Sequence, residues 1–548
     1  MTLVFLTGSE ALKCVKSEKF QSKWKSLYAH CPWVTACQHP NFVAPWYEFY
    51  YTLFLPVVIF NEDDDQSLNW LLTLALNHKE NKLTGAGERQ AEYHGWIESP
   101  NTHNDFIWPA IEKIRARFPG VDLVFKYLPP GIPLNWIGDK GNNRKLCSLR
   151  SHSRPVMKID EAAMDRQRTK KNNRQNYNRL KKLGDVQFEK VIEHDHFIQI
   201  FDELCIQYDF RQGALYQNMP FSSDPMKKIF YITLHKNGLL HTTILTVDGE
   251  IAASHSGLLS EGHAVHLGIN THAPAFAVHS PGNLLLAMLG VQLAQEKIPL
   301  LDLTPGGDVY KENFATTHDA AFELIIYSDI KTRLRNEVFL GVMRFMKTRL
   351  RAAGYRTADI FSTFCKIKNL RVPVFHGLLG KLHGQSTAKY CKLRHFHNLQ
   401  IVNKKELTIS KNSLNDILKF DSCNFSMTNW EFFGTVMKRM ERSQHLFTFV
   451  DNDKLLVYCW IKMCSSEPAS QPSVGSLHID SPIVLFDLYV HDQLGNAEIA
   501  QLFICQILYE LKKIKTNTIY YSGYLSRELQ SVIKRCGFAD ESVGAMIV

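Results

Sequence analysis

The chain has 548 residues, 45% hydrophobic and 21% charged, an ordinary globular composition that excludes a wholly disordered, collagenous or coiled-coil protein. At roughly 150 residues per domain it has room for three or four domains. The net charge of +9 is unevenly spread: residues 331–405 hold 17 Lys and Arg against Glu337 and Asp359, a net of +15, and the remainder is −6.

No apolar run reaches the ~18 residues that span a bilayer; the longest candidates are Tyr50–Phe60 and Leu284–Ala294. The opening MTLVFLTGSEALK lacks the positive region and the apolar length of a secretory signal. The expectation is a cytoplasmic protein. Twelve cysteines contain no CxxC, and Cys31/Cys37 and Cys459/Cys464 match no zinc spacing. They read as reduced, mostly buried thiols. His194/His196, His263/His266 and Cys391/His395/His397 offer no four-ligand pattern, so no metal is expected.

In chain order, Pro56–Phe60, the acidic turn Glu62–Asp65 and Leu68–Asn77 form a first hairpin, followed by a strand at Glu92–Ile97, a helix at Asn104–Phe118 and a strand at Val121–Tyr127. The run Arg166–Lys182, with eight Lys and Arg in 17 residues, reads as a basic helix. His241–Val247 and Ile251–Leu259 flank Asp248-Gly249, a hairpin signal because Gly supplies the positive φ of a tight turn. Ala264–Ile269 is the next strand. Ser280 is placed to N-cap a helix with Pro281 at its first position, running to about Lys297. Leu300–Leu303 reads as a short buried strand. Val338–Leu350 is a basic amphipathic helix, with Phe339, Val342, Met343 and Met346 on one face and Arg344, Lys347 and Arg351 on another. Then Leu446–Val450, the turn Asp451-Asn452-Asp453, Lys454–Lys462, Ile483–Val490, helix Ala497–Lys513 and strand Thr518–Tyr521 repeat the order, with Arg527–Arg535 as a last helix.

One arrangement thus occurs three times: hairpin, strand, helix, strand. The expected class is α/β (α+β), three units of mixed, mostly antiparallel sheet flanked by helices. The expected division is 1–150, 151–335, a basic helical connector at 336–395, and 396–548.

This order resembles the GNAT acyltransferase fold, in which a strand splays from its neighbour, a helix starts at the splay and acyl-CoA lies in the gap. Unpaired strand-edge groups can pair with an extended ligand, and helix N-terminal N–H groups can hold a pyrophosphate. Residues 1–335 more specifically resemble the CelD-like acetyltransferases of polysaccharide-biosynthesis loci, distantly similar to FemAB peptidyltransferases. The segments that carry this are QHPNFVAPWY at Gln38–Tyr47, RQNYNRLKK at Arg174–Lys182 before Val186–Phe188, SPGNLLL at Ser280–Leu286, and DLTPGGDVYKENF at Asp302–Phe314. The C-terminal copy is similar to a single GNAT domain by layout.

The resemblance implies an acyl-CoA, most simply acetyl-CoA, as donor, held by Leu267, Ile269, Ser280, Gly282 and Asn283. In the usual phosphate-loop frame, Pro281 removes a donor from the central copy, and Glu498, in Gly495–Ala500, sets a carboxylate against the pyrophosphate in the C-terminal copy. Acyl transfer needs a base for the attacking group and an acid for the leaving thiolate. The candidates are Asp302 or Asp308 as base, Tyr310 as acid, Lys311 for an anionic donor, and His255 as an alternative base with a near-neutral pKa. Arg211 is the candidate for binding acceptor or phosphate.

The expected activity is acyl transfer, N- or O-linked, to a saccharide or amino-sugar precursor of the cell envelope or exopolysaccharide, with 331–405 meeting an anionic membrane surface. The rivals are a FemAB-like transferase using aminoacyl-tRNA, favoured by the basic runs, and a non-catalytic scaffold of degenerate units. No DNA partner is expected.

Overall fold

The computed structural model describes residues 3–100, 102, 106–137, 145–260, 262–352, 389–393, 407–422, 427–463, 482–491, 497–512, 518–523 and 527–540. Most of the expected connector at 336–395, and Gly495-Asn496 of the C-terminal phosphate-loop frame, lie outside them.

Among the described residues, fourteen strands between 4 and 326 join in one sheet. They are β1 (Val4–Thr7), β2 (Phe54–Glu62), β3 (Leu68–Asn77), β4 (Lys82–Gly85), β5 (Trp96–Glu98), β6 (Asp122–Leu128), β7 (Cys147–Lys158), β8 (Val186–Lys190), β9 (Leu240–Val247), β10 (Glu250–Ser260), β11 (Ala264–His266), β12 (Ile269–His272), β13 (Leu300–Asp302) and β14 (Thr317–Ile326). The order is β1-β2-β3-β4-β6-β14-β7-β13-β11-β10-β9-β8, with β5 on β3 and β12 on β10. The boundary expected at 150 falls inside β7. β14 pairs antiparallel with β7 from Thr317↔Val156 to Ile326↔Cys147, and its other edge pairs with β6. A strand from the far end of the central unit therefore joins the two units.

Among the described residues a second sheet of seven strands carries the C-terminal unit: β15 (Lys389–Leu393), β16 (Ser410–Lys411), β17 (His445–Asp451), β18 (Lys454–Met463), β19 (Ile483–Val490), β20 (Ile519–Gly523) and β21 (Phe538–Asp540). Its core joins the rest through helix His194–Tyr216. Phe210 of that helix is buried with Phe432, Phe433, Val436 and Met440 of helix Asn429–Met440, and Ile206 and Ala214 pack on the same cluster. The spacing 206, 210, 214 puts these three side chains on one helical face.

The threefold repeat holds at the level of strand pairing. In the central unit β9 and β10 form the hairpin, with Asp248 and Gly249 both at positive φ in the turn. β11 pairs with β10 and runs parallel to β13 only through Val265↔Leu301 and His266↔Asp302. The chain then leaves β13, and β12 pairs with β10 alone. In the N-terminal unit β4 runs parallel to β6 and β5 returns to β3. In the C-terminal unit β19 runs parallel to β20 from Ile483↔Ile519 to Phe486↔Ser522, and Asp487 takes a left-handed φ of 54° where the pairing stops.

Two expected strands are corrected by this geometry. Ala264–Ile269 is broken into β11 and β12 at Gly268, and Glu92–Ile97 is replaced by β4 and β5 with residues 86–95 between them.

The seam between the first two units is polar and buried. Asp302 is fully buried at the end of β13. Its Oδ2 accepts from the Tyr93 hydroxyl at 2.6 Å and from His266 Nδ1 at 3.2 Å, and Arg154 Nη1 is 3.5 Å away. Its Oδ1 accepts from Thr304 N at 2.8 Å. Arg154 also donates Nε and Nη2 to Asp319 at 2.7 and 2.9 Å. His266 Nε2 meets Ser260 Oγ at 2.9 Å, which accepts from Ala36 N at 2.8 Å. Gln38 Nε2 donates to Tyr93 O at 2.9 Å. Burial alone would raise the Asp302 pKa. The His266 hydrogen bond and charge, the Arg154 guanidinium and the Tyr93 hydroxyl overcome it and hold the carboxyl below its ordinary value.

Removing the carboxylate leaves Arg154 and His266 facing a neutral amide in a dry seam, so Asp302→Asn is expected to cost about 3 kcal/mol of stability. Tyr93→Phe, which loses one hydrogen bond to a charged group, should cost about 2 kcal/mol. A carboxyl held below its unfolded pKa of about 3.9 contributes stability above that pH and loses it as pH falls through the lower folded value. The gap between wild type and Asp302→Asn should therefore shrink as pH falls below about 4, as read from urea midpoints.

Candidate functional site

The split between β11 and β12 rests on two glycines. Gly268 has φ +53°, and a Cβ there would stand 2.4 Å from Ser256 O. A Cβ on Gly257 would stand 1.7 Å from His266 O. Only bare backbone lets the strand cross β10 this closely. Leu267 donates its N–H to Asp302 O at 2.9 Å, the last contact with β13 before the gap opens.

β12 turns one edge into that gap. Ala273 N donates to Ala252 O, so by strand alternation Asn270 and His272 point their N–H and C=O groups away from β10. Opposite them starts helix Pro281–Gln295, buried on nearly every side by its Leu-rich sequence. Ser280 sits at the N-cap, as the sequence indicated, but in left-handed geometry (φ 51°) and without a side-chain cap bond. Pro281 has no N–H, and Asn283 and Leu284 donate theirs to Ser280 O. This leaves the Gly282 N–H as the first-turn donor for a ligand.

Between these elements lies a cavity of about 180 Å³. Its polar lining is Arg211, Asn270, Thr271, His272, Ser280, Asn283 and Tyr310, with Ala277, Pro281, Gly282 and Leu286 completing the wall. No carboxylate is among them. Arg211 Nη1 donates to His272 Nδ1 at 3.3 Å. Burial, with Arg211 adding to it, pushes the His272 pKa down to about 4. The ring is therefore neutral at pH 7 and, with Nδ1 accepting, carries its proton on Nε2. Thr271 Oγ1 is buried and has no partner among the described residues. Asn270 hydrogen-bonds the Tyr310 hydroxyl, whose pKa is raised by burial and then by Asp308, so the phenol keeps its proton.

Basic helices pack on the helix that starts at the cavity. The run at Arg166–Lys182 folds as two helices, Glu161–Thr169 and Lys171–Leu180, both packed against helix Pro281–Gln295. Arg166, Lys170, Lys171, Arg174, Lys181 and Lys182 are exposed. The His279 pKa is lowered by burial and by nearby Arg179.

Of the residues proposed from sequence, the cavity brings together Arg211, Ser280, Gly282, Asn283 and Tyr310. Asp308 lies beside it, hydrogen-bonded to Tyr216 and 3.7 Å from Lys311 Nζ. Lys311 is buried, its Nζ 3.3 Å from both Thr304 O and Thr304 Oγ1, so it pins the turn rather than lining the cavity. His255 is fully buried, with its pKa pushed down to about 3 by burial and then by His241; its Nε2 is 3.3 Å from His266 O. Leu267 and Ile269 are core residues at the splay. Asp302 stands behind it in the seam. Sequence reasoning missed Asn270, Thr271 and His272 because it ended the strand at Ile269; the alternation of the β-branched Ile269 and Thr271 about Asn270 was the available signal.

The equivalent gap in the N-terminal unit is filled by the chain itself. His94 N donates to Tyr127 O, and His94 Nδ1 accepts from Lys126 N, so residues 86–95 take up the β6 edge. His94 is buried, and a Cβ on Gly85 would meet its ring carbons.

Residues 167–312, which carry the cavity, match the family described as the acetyltransferase (GNAT) domain. The match is to that part of the chain, and the similarity is to a GNAT domain there. Among solved structures the chain is similar to L-PGS from Bacillus licheniformis (11% identity, 56% of this chain and 92% of that one, TM-score 0.37). It is also similar to FemX (9% identity, 55% and 95%, TM-score 0.40) and to a tandem GNAT protein from the clavulanic acid biosynthesis pathway (11% identity, 60% and 99%, TM-score 0.34). No curated protein matches it.

The C-terminal unit braces the part of the chain that carries the cavity. Helix Asn429–Met440 packs on the Arg211 helix and on the turn Pro274–His279 that leads to Ser280. A Cβ on Gly213 would meet Phe433 Cδ2 at 3.0 Å and Trp430 Cζ3 at 3.4 Å. Gly213→Leu is expected to force these helices apart and lower stability by about 1–3 kcal/mol. Gly213→Ala should come out near neutral, because a helix-propensity gain of up to ~1 kcal/mol offsets the tight contact. Thermal unfolding of the two variants checks this.

Proposed function

We propose that the chain is an acyl-CoA-dependent acyltransferase, with acetyl-CoA the simplest donor, whose chemistry takes place in the central GNAT unit. The observation that carries this reading is the cavity at the splay: an open strand edge, a helix start and Arg211 around a space lined by donors and by no carboxylate. Such a lining favours an anionic, extended ligand. The pyrophosphate would meet the Gly282 N–H, Ser280 and Asn283, and the pantetheine arm would pair with the outward groups of Asn270 and His272.

In the reaction, the acceptor's amine or hydroxyl attacks the thioester carbonyl, the new C–N or C–O bond forms, and the C–S bond breaks. Tyr310, which keeps its proton at neutral pH, would give it to the leaving thiolate. Asp308, at the rim, is the nearer carboxylate to take the acceptor's proton. We assign Asp302 and Lys311 to holding the splay and the turn, and His255 to the core. The acceptor we propose is a saccharide or amino-sugar precursor, on the strength of the SPGNLLL and DLTPGGDVYKENF segments, with the reaction in the cytoplasm. On this reading residues 1–150 and 396–548 support the central unit, the first with its gap closed and the second as a brace.

A second reading, an aminoacyl-tRNA donor, is favoured by the exposed basic helices beside the cavity, since tRNA contacts are largely phosphate neutralisation. Competition separates the two: tRNA should not displace acetyl-CoA on the first reading.

Acetyl-CoA at about 100 times its Kd should stabilise the wild type by about 2.7 kcal/mol. Gly282→Glu should abolish this shift. A Cβ there meets only His272 Nδ1, at 3.6 Å, so the carboxylate has room to enter the anion site without unfolding the helix. Arg211→Met should weaken binding by about 1.5–3 kcal/mol, the worth of a charged hydrogen bond. Unchanged donor binding by folded Gly282→Glu would place the donor elsewhere.

Tyr310→Phe should lower kcat while leaving the donor KM close to wild type, the pattern of a group that acts in the transition state. An unchanged kcat would assign the thiolate proton to another source.

A further inference from the structure

Helix Ile330–Ala352 follows directly on β14 and changes character along its length. Its first half is anchored: Glu337 Oε1 accepts from Ser148 Oγ at 2.6 Å and from Arg150 Nη2 at 3.0 Å, and Arg333 Nη1 donates to Lys145 O at 2.7 Å. In its second half every residue from 341 to 349 whose side chain is described is exposed.

Most of the exposed side chains there are apolar, with Thr348 and Arg349 beside them. Val338, Phe339 and Phe345 are 67%, 61% and 61% exposed, and Val342, Met343 and Met346 are exposed as well. At 100° per residue these six lie within an arc of about 160°. The same helix carries Lys331, Arg333, Arg335, Arg344, Lys347, Arg349 and Arg351 against one acid, Glu337. The Arg349 guanidinium lies 5.2 Å from the Phe345 ring centroid. No described helix is long and apolar enough to cross a membrane.

We propose that this helix docks the protein onto an anionic lipid surface, lying in the plane of the interface. Charge decides the occupant. A purely apolar partner groove would leave the exposed Lys331, Arg335 and Arg349, which project from within the arc, to be desolvated, whereas at a lipid surface their stems lie along the apolar side chains while their charges reach anionic headgroups. Because the helix continues from β14, it is rigidly coupled to the sheet that carries the cavity, and docking would hold the GNAT domain beside lipid-borne acceptors. The proposal itself does not depend on the acyltransfer reading.

The test uses the full-length chain and co-sedimentation with vesicles. Binding is expected to phosphatidylglycerol-containing vesicles at low salt, to weaken at least about tenfold at high salt, and to be much weaker to pure phosphatidylcholine. Phe339→Ser with Phe345→Ser should reduce vesicle binding about tenfold, as should Arg344, Lys347 and Arg351 changed together to Gln. Both variants should unfold at the wild-type temperature and keep the wild-type response to acetyl-CoA. Absence of low-salt binding to anionic vesicles, or equal binding by either variant, overturns the proposal. A marked fall in the unfolding temperature of the Phe variant also overturns it, because the apolar arc would then be covered by the chain itself.

Discussion

The close crossing of two backbones at Gly257 and Gly268 is the constraint on which the rest of the site depends. Because neither residue has a Cβ, the strand after His266 can leave β13 and stay on β10. That departure opens a strand edge inside an otherwise paired sheet, a configuration that is costly unless something pairs with it. The three units meet this requirement differently. The N-terminal unit fills its gap with residues 86–95. The central unit leaves an opening lined with donors. In the C-terminal unit the departure is made at Asp487, which lies at positive φ.

The electrostatic arrangement follows from the same geometry. The central gap separates two polar systems that the sequence places next to each other. Behind it, Asp302 is surrounded by Tyr93, His266 and Arg154, and its ionised state is stabilised by groups from both units. In front of it, Arg211, neutral His272 and the helix start form a site with donors facing inward. Segregating the carboxylate from the cavity keeps negative charge out of its lining, and the same carboxylate joins the two units.

Much of this was legible in the sequence where local chemistry is decisive. Asp248-Gly249 marked its hairpin and Ser280-Pro281 marked its helix start, because positive φ and a fixed proline φ are properties of single residues. The order of strands and helices in the three copies was legible for the same reason. The division of Ala264–Ile269 was not, because the break is enforced by strands that cross in space. Nor was the setting of Asp302: a lone Asp at a strand end reads the same whether it faces a ligand or a buried Tyr from a segment far upstream. Arg211, singled out in the sequence, lines the cavity, whereas its partner His272 lay just beyond the expected strand end.

The place of β14 has a consequence for how the chain is made. Its edge pairs with β6, which was synthesised roughly two hundred residues earlier. During vectorial synthesis, the N-terminal unit must therefore wait with the β6 edge unpaired until the whole central unit has emerged from the ribosome. Until then that edge, with Leu123 and Phe125 along it, is a template for pairing with another nascent chain. The late arrival of β14 closes the sheet, so commitment to the native topology comes near residue 326 rather than at the end of the first unit.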